Sequence, residues 1–371
     1  MAVAGDLVPT RSNAAHFASG AVEGALDGKL LHLLMEADAR AINLEAPLYD
    51  GASPIAKAGP ALSAPTACAK GLAALEPILA LSNNHILDHG PAGLESTFKA
   101  LRGQGIPFFG AGGNLEDAAK PFVLEKNGMR IGLVAVCERE FSVAGESSPG
   151  ANPFDPLETP DQVARLKKEC DFVVALYHGG IECSRYPSPG LRKTLRKLAE
   201  KGADLIVCQH THSVACYEEY MGSTIVYGQG NLLFDRKNDE YWRCALVVLA
   251  TFSDRLSVQY LPVVHEGGRA LLAEGDAAKE ILEGFHARSR EILSPGFVEE
   301  SFARRAEQMF PRAMFALSGN DRLLTKIDRR LGGFLTRRAF TRRRLIDSVN
   351  LIECEALREQ LLTGLKARLK T

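Results

Sequence analysis

The chain has 371 residues, 46% of them hydrophobic and 24% charged, with a formal net charge of −1. That is the composition of a globular protein long enough for one large domain and an appendage. It excludes a polybasic nucleic-acid binder, and no apolar run approaches the ~20 residues that a bilayer span requires, so no membrane span is expected.

Taken in chain order, Ala2-Val3-Ala4 reads as a first buried strand that ends in Gly5-Asp6, and no secretory leader is expected ahead of it. Residues 39–42 predict a second strand ending in Asn43-Leu44-Glu45. Residues 78–81 predict a third, ending in Asn83-Asn84-His85 with Asp88 close behind. Residues 91–101 read as a helix with proline in its first turn and Leu94, Phe98 and Leu101 on one face. Glu138-Arg139-Glu140-Phe141-Ser142 follows another strand, and Arg139 is its natural anion-binding member. Residues 172–177 predict a strand ending at His178, and residues 191–201 a helix with Leu191, Leu195 and Leu198 inward. Residues 204–207 predict the strand that runs into Cys208-Gln209-His210-Thr211-His212-Ser213.

Strands near 224–227, 245–250 and 256–261 follow too closely for helices between them, which implies a second sheet. The expected fold is α/β, a four-layer αββα sandwich of two stacked mixed sheets with a C-terminal helical appendage. Strand signals give way after about Glu266, which predicts a catalytic domain over 1–266 and a helical extension over 267–371. One long last helix is predicted over 345–369, with Leu345, Val349, Ile352, Leu357, Leu361 and Leu365 along a stripe. Arg329, Arg330, Arg337, Arg338, Arg342, Arg343 and Arg344 precede it. They read either as a solvated or homo-oligomeric face, or as a rim that guides an anionic substrate. The eight cysteines contain no CxxC pair, which fits a reducing compartment and a cytoplasmic protein.

Five strand ends thus carry Asp, Glu, Asn, His and His-x-His. Two imidazoles at i and i+2 point to opposite faces of a strand, but on a loop past its end they can converge. Sites in open α/β sheets form outside the carboxyl ends of strands. Carboxylate, carboxamide and imidazole suit Mn, Zn or Fe. The bland alternative is a set of unrelated strand-end caps and core histidines. For Asp88 in particular a helix cap ahead of Pro91 stands beside a partnership with His85.

In this order the blocks resemble the CapA/PgsA-type capsule (poly-γ-glutamate) synthesis family, which is similar to the calcineurin-like metallophosphoesterases. They are Gly5-Asp6, Asn43-Leu44-Glu45-Ala46-Pro47, Asn83-Asn84-His85-Ile86-Leu87-Asp88-His89-Gly90, His178-Gly179-Gly180-Ile181-Glu182, His210-Thr211-His212-Ser213 and Gly228-Gln229-Gly230-Asn231-Leu232-Leu233-Phe234-Asp235. The resemblance runs from about residue 4 to about residue 264 and includes Gly110-Ala111-Gly112. It implies one or two divalent ions, one on Asp6, Glu45 and His212 and the other on Glu45, Asn84, His178 and His210. A bound water of pKa near ~7 would be the nucleophile. His85 would act on substrate with Asp88 behind it, and Glu182 and Asn231 would line the pocket, beside Arg139, which its loop after a strand, not the resemblance, points toward substrate. His89 is expected at the surface. Two departures stand out: Asp6 is followed by Leu7-Val8 where those enzymes place a His two residues on, and Glu45 replaces the usual bridging Asp. Three functions follow from the resemblance: hydrolysis of a phosphoester, cleavage or transfer at a γ-glutamyl amide, and non-catalytic binding of a polyanion in capsule assembly. The expected partner is an anionic small molecule or polymer.

Overall fold

A computed structural model describes residues 1–235, 239–317 and 322–368 of the chain. Its first strand, β1 (Ala2–Leu7), has all six residues buried. A strand with no exposed face belongs inside a sheet covered on both sides. It is followed by α1 (Ala14–Ser19), α2 (Gly28–Glu36), β2 (Arg40–Leu44), α3 (Ala69–Ala74), β3 (Ile78–Ala80), α4 (Gly90–Gly103) and β4 (Phe108–Phe109). Strands β1 to β4 are parallel neighbours, joined by helical crossovers. Arg40 marks the turn from α2 into β2: its guanidinium donates to the carbonyls of Leu34 and Ala37, at 3.3 and 2.8 Å, where the helix end leaves acceptors unpaired.

Next come β5 (Ala111–Gly112), α5 (Leu115–Ala118), β6 (Phe122–Lys126), β7 (Met129–Cys137), β8 (Gly150–Ala151), α6 (Glu158–Glu169), β9 (Phe172–His178), α7 (Pro189–Glu200), β10 (Leu205–Gln209), β11 (Tyr217–Tyr220) and β12 (Ser223–Val226). Six of these strands form a second sheet in the order β11-β12-β10-β9-β7-β6, while β5 and β8 pair separately. The chain then returns to the first sheet through β13 (Asn231–Leu233), β14 (Cys244–Phe252), β15 (Leu256–Glu266) and β16 (Arg269–Leu272). Both large sheets mix parallel and antiparallel pairs.

Three apolar layers separate four structural ones. Leu30, Leu34, Leu72, Leu94 and Phe98 cover the outer face of the first sheet, and Val163, Leu166, Leu191, Leu195 and Leu198 cover that of the second. Between the sheets, Val3, Ala41, Ile78 and Phe109 meet Leu133, Val174, Leu176 and Val207. The expected αββα sandwich is therefore the fold observed. The close fit has one exacting point. A Cβ on Gly5 of β1 would lie 2.0 Å from the carbonyl oxygen of Gly230, so only glycine lets the β13 segment approach there.

Two boundaries differ from expectation. The described residues fall into two units, Met1–Glu299 and Glu300–Thr371, so the division lies later than residue 266. The reason is that β16 adds a strand to β15, and α8 (Gly275–Glu291) carries Phe285 into the layer between the sheets. The second unit is helical: after α9 (Phe297–Leu317), which crosses the division, come α10 (Arg322–Arg330), α11 (Phe334–Ala339), α12 (Arg342–Glu353) and α13 (Glu355–Arg368). The single last helix expected over 345–369 is thus two, broken where Cys354 takes an extended backbone (φ −70°, ψ 113°). Among the described residues no helix is long and apolar enough to cross a membrane.

Gly5→Ala should destabilise the protein by about 1–3 kcal/mol, the usual cost of forcing atoms into a packed interior. Its thermal midpoint in calorimetry should fall by several degrees, and an unchanged midpoint would show that β1 and β13 can separate freely.

Candidate functional site

Parallel strands deliver their carboxyl ends to the same edge of a sheet. The first sheet brings Asp6 at the end of β1, Asn43 and Glu45 at the end of β2, and Asn84 and His85 just past β3. The second brings His178 at the end of β9 and His210 and His212 just past β10. His210 and His212 both take left-handed backbone, φ +84° and +54°, which is rare for residues with a side chain and marks a strained turn. Freed from strand alternation, both imidazoles face the same cluster. Two overlapping ligand sets result, Glu45 with His178 and His210, and Asp6 with Glu45 and His212. Within each set the ligand atoms lie no more than 4.8 Å apart.

A hydrogen-bond frame fixes these side chains. Asn43 Nδ2 donates to Asp6 Oδ1 at 2.7 Å, and the backbone N–H of His210 donates to Asp6 Oδ2 at 3.1 Å. Asn83 Nδ2 in turn donates to Asn43 Oδ1 at 3.1 Å. His178 Nε2 lies 3.0 Å from Asn84 Oδ1 and 3.2 Å from Glu45 Oε1. His212 Nδ1 lies 2.8 Å from Asn231 Oδ1 and 3.3 Å from Asp6 Oδ2. The His212 ring also packs on Trp242, with centroids 4.2 Å apart. Asn231, expected as a pocket-lining residue, is fully buried and orients His212 instead.

The electrostatics are those of a buried cluster whose charges strongly shift one another. Burial drives Glu45 up to about 8, and the Asp6 charge adds to the effect. Burial opposes ionisation of Asp6 too, but the His212 hydrogen bond and the charges of His178 and His212 outweigh it and hold the group down to about 2. Burial lowers His178 to about 4 and, together with the neighbouring imidazoles, His210 to about 3. For His212, burial is overcome by Glu45 and Asp6, which raise it to about 9. Both oxygens of Glu45 and the Nδ1 of His210 are buried without a hydrogen-bond partner. Such groups are costly to leave unfilled. Carboxylates and imidazoles with orphaned lone pairs are a donor set that fits a divalent ion.

His85 stands beside this cluster, close enough for its charge to act on Glu45. Its Nδ1 lies 2.6 Å from Asp88 Oδ2. The alternative role for Asp88 is not seen, because α4 is preceded by His89 and has no side-chain cap. A residue without a sequence signal completes the array. Lys57 Nζ, almost wholly buried, lies 2.5 Å from Asp88 Oδ1 and 3.2 Å from His85 Nδ1. Leu62 N–H donates to Asp88 Oδ2 at 2.7 Å, so the carboxylate is held on every side. His89 is buried rather than at the surface: its Nδ1 accepts from the backbone N–H of Ser53 at 3.1 Å. Arg139 is more than half exposed and pairs with Asp155 at 3.0 Å, an ion pair that engages its guanidinium. Glu182 is exposed, yet its charge reaches Glu45 and His210.

A family model described as bacterial capsule synthesis protein PGA_cap matches residues 1–236. The PGA biosynthesis protein CapA of Bacillus subtilis is 34% identical over 163 residues, 43% of this chain and 43% of that protein, so the match spans under half the relative's length. Among solved structures, a hypothetical protein from Thermus thermophilus superposes with a TM-score of 0.47 at 14% identity, over 72% of this chain and 100% of that one. A 5'-nucleotidase precursor from the same organism gives a TM-score of 0.40 at 18% identity, over 73% of this chain and 52% of that one.

A cation taken up here would have to displace protons from Glu45 and His212, whose pKa values are raised, whereas burial lowers those of His178 and His210. Uptake of Mn²⁺ should therefore release protons and tighten as pH rises from about 6 to about 8. Titration calorimetry in two buffers of different ionisation enthalpy reads this directly. A Mn²⁺ affinity independent of pH and buffer would place the ion elsewhere.

Proposed function

We propose, for a chain that belongs to the bacterial capsule synthesis protein family PGA_cap, that the buried cluster is a divalent-metal site at which an anionic substrate, in the first instance a phosphoester, is hydrolysed. The observation that carries this reading is Glu45, buried, shared by two ligand sets and without a hydrogen bond to either oxygen. A carboxylate so placed suits a bridge between two cations about 3.5–4 Å apart. Asp6, Glu45 and His212 would hold one ion, and Glu45, Asn84, His178 and His210 the other. When bound, Mn, Zn or Fe supplies Lewis acidity at a substrate oxygen and a water acidified for attack.

The remaining roles belong to the protein's own side chains. Asp88 holds the Nδ1 of His85, which leaves Nε2 as the nitrogen that meets substrate and donates to its oxyanion or leaving group. Lys57 balances the buried Asp88 charge and fixes the angle of the imidazole. Asn43 and Asn231 orient Asp6 and His212, the kind of outer support that metal ligands need. The missing His after Asp6 leaves the Asp6–His212 set one donor short of its usual complement, so that set is the weaker of the two.

Two other readings stand beside it, and a specific observation favours only the first. The printed name of the Bacillus subtilis relative concerns PGA biosynthesis, and the same cations would polarise the carbonyl of a γ-glutamyl amide. A non-catalytic binder of a polyanionic polymer would need the fold but not the Lys57–Asp88–His85 array. The absence of any CxxC spacing among the eight cysteines of the sequence supports a reducing, cytoplasmic setting.

Turnover of p-nitrophenyl phosphodiesters and monoesters by the Mn²⁺-loaded protein tests the reading. His85→Ala should lower the rate by about two to four powers of ten with metal content intact, while Glu45→Gln should lose metal as well. Loss of metal from His85→Ala would make it a ligand. A loaded protein inert to phosphoesters that cleaves γ-glutamyl amides would transfer the assignment to amide chemistry.

A further inference from the structure

We infer that the second unit, Glu300–Thr371, docks on an anionic lipid surface through basic amphipathic helices. It lies outside the stretch 1–236 that matches the family, so nothing in that match accounts for it. Two independent features point to the occupant. The first is exposed apolar area. Of the large apolar side chains that stand exposed among the described residues, all but Phe141, Leu157, Met221 and Leu293 follow residue 300. On α12, Ile346, Val349 and Ile352 recur every third residue and are 58%, 50% and 52% exposed. On α13, Leu361, Leu362 and Leu365 share one face and are 41–52% exposed. A soluble surface does not leave that much contiguous apolar area open without a use for it.

The second feature is charge. Residues 300–371 hold 16 Lys and Arg against 8 Asp and Glu, whereas the whole chain holds 44 against 45. The first 299 residues are therefore acidic, 28 against 37. Arg342, Arg343 and Arg344 are the first residues of α12, and Ile346 follows within one turn. The side chains of Arg329 and Arg337 lie outside those described.

These features discriminate among occupants. A second copy of the same unit would bring two strongly basic faces together and meet repulsion. A soluble polyanion such as a polyglutamate would use the arginines and leave the leucines and isoleucines in water. An anionic bilayer surface uses both: the apolar side chains enter the acyl boundary while the long arginine stems place their charge at the headgroups. Each basic residue near such a surface strengthens binding, and the acidic first unit adds no attraction of its own. Among the described residues no helix is both long and apolar enough to cross a membrane, so the attachment we infer is peripheral and salt-sensitive.

Sedimentation of the full chain with vesicles tests the inference, comparing phosphatidylcholine alone with phosphatidylcholine containing about one third phosphatidylglycerol. Binding should be confined to the anionic vesicles and weaken with salt. Replacing Arg342, Arg343 and Arg344 together by Gln should raise the half-saturating lipid concentration by about a hundredfold. The combined Ile346→Ser, Val349→Ser and Ile352→Ser protein should fail to bind although its charge is intact. Unchanged far-ultraviolet circular dichroism and unchanged Mn²⁺ content establish that both variants are folded. Equal binding to both vesicles, or to neither, overturns the inference. So does capture of soluble polyglutamate in place of lipid, or a lipid-blind dimer in light scattering that the serine variant dissolves.

Discussion

The site depends on two carboxyl groups that have been taken wholly out of water. Asp6 and Glu45 end adjacent parallel strands of one sheet, and both are fully buried. Burying ionisable oxygen costs several kcal/mol per group unless donors or cations replace the lost water. Asp6 receives donors from Asn43, from the His210 backbone and from His212. Glu45 makes no hydrogen bond with either oxygen, though His178 Nε2 stands 3.2 Å from Oε1, and its pKa climbs to about 8 because burial and the Asp6 charge both oppose ionisation. That asymmetry orders the rest of the architecture. One carboxyl is tied into the protein frame, and the other has no hydrogen bond within it.

The two sheets contribute unlike chemistry to this place. The first sheet supplies oxygen from Asp6, Glu45 and Asn84, and the second supplies nitrogen from His178, His210 and His212. Neither sheet alone presents a ligand set, so a cation held there would tie the carboxyl ends of both sheets together. The apolar layer between the sheets does the same along their length. The close passage of Gly5 by Gly230 keeps Asp6 in register with Asn231, and through Asn231 with His212. Packing and coordination thus constrain the same strand ends from two directions.

Much of this was legible in the sequence for a physical reason. Short buried strands appear as apolar runs, and the residue after each run lands at a strand end. Parallel order then brings Asp6, Glu45, Asn84, His178 and the His210–His212 pair to one edge without any knowledge of loops. What the sequence concealed depends on loops folding back. Lys57 lies in Ser53-Pro54-Ile55-Ala56-Lys57-Ala58-Gly59-Pro60, where no periodicity exists to aim it. It reaches Asp88 only because Ile55 N–H is bonded to the Asp88 carbonyl at 2.9 Å and Leu62 to its side chain. Arg139 shows the converse. Its place after a strand suggested an anion ligand, but Asp155, sixteen residues on, takes its guanidinium. The later domain division was hidden for a similar reason: β16 is four residues long, too short for its pattern to stand out against the helices that follow.

The Lys57–Asp88–His85 array shows how a buried charge can serve precision. An isolated carboxylate behind an imidazole would be free to turn, and its burial would be expensive. With Lys57 on one oxygen, and Leu62 N–H and His85 Nδ1 on the other, Asp88 has a single orientation and a balanced charge. The imidazole inherits that orientation, since a ring held at Nδ1 presents Nε2 along a fixed line. Truncating Lys57 would leave a buried carboxylate unbalanced, which is costlier than the loss of the pair as a whole. The loop that carries Lys57 is therefore bound to the site by the same charge that it stabilises, and the position of His85 depends on a segment outside every motif in the chain.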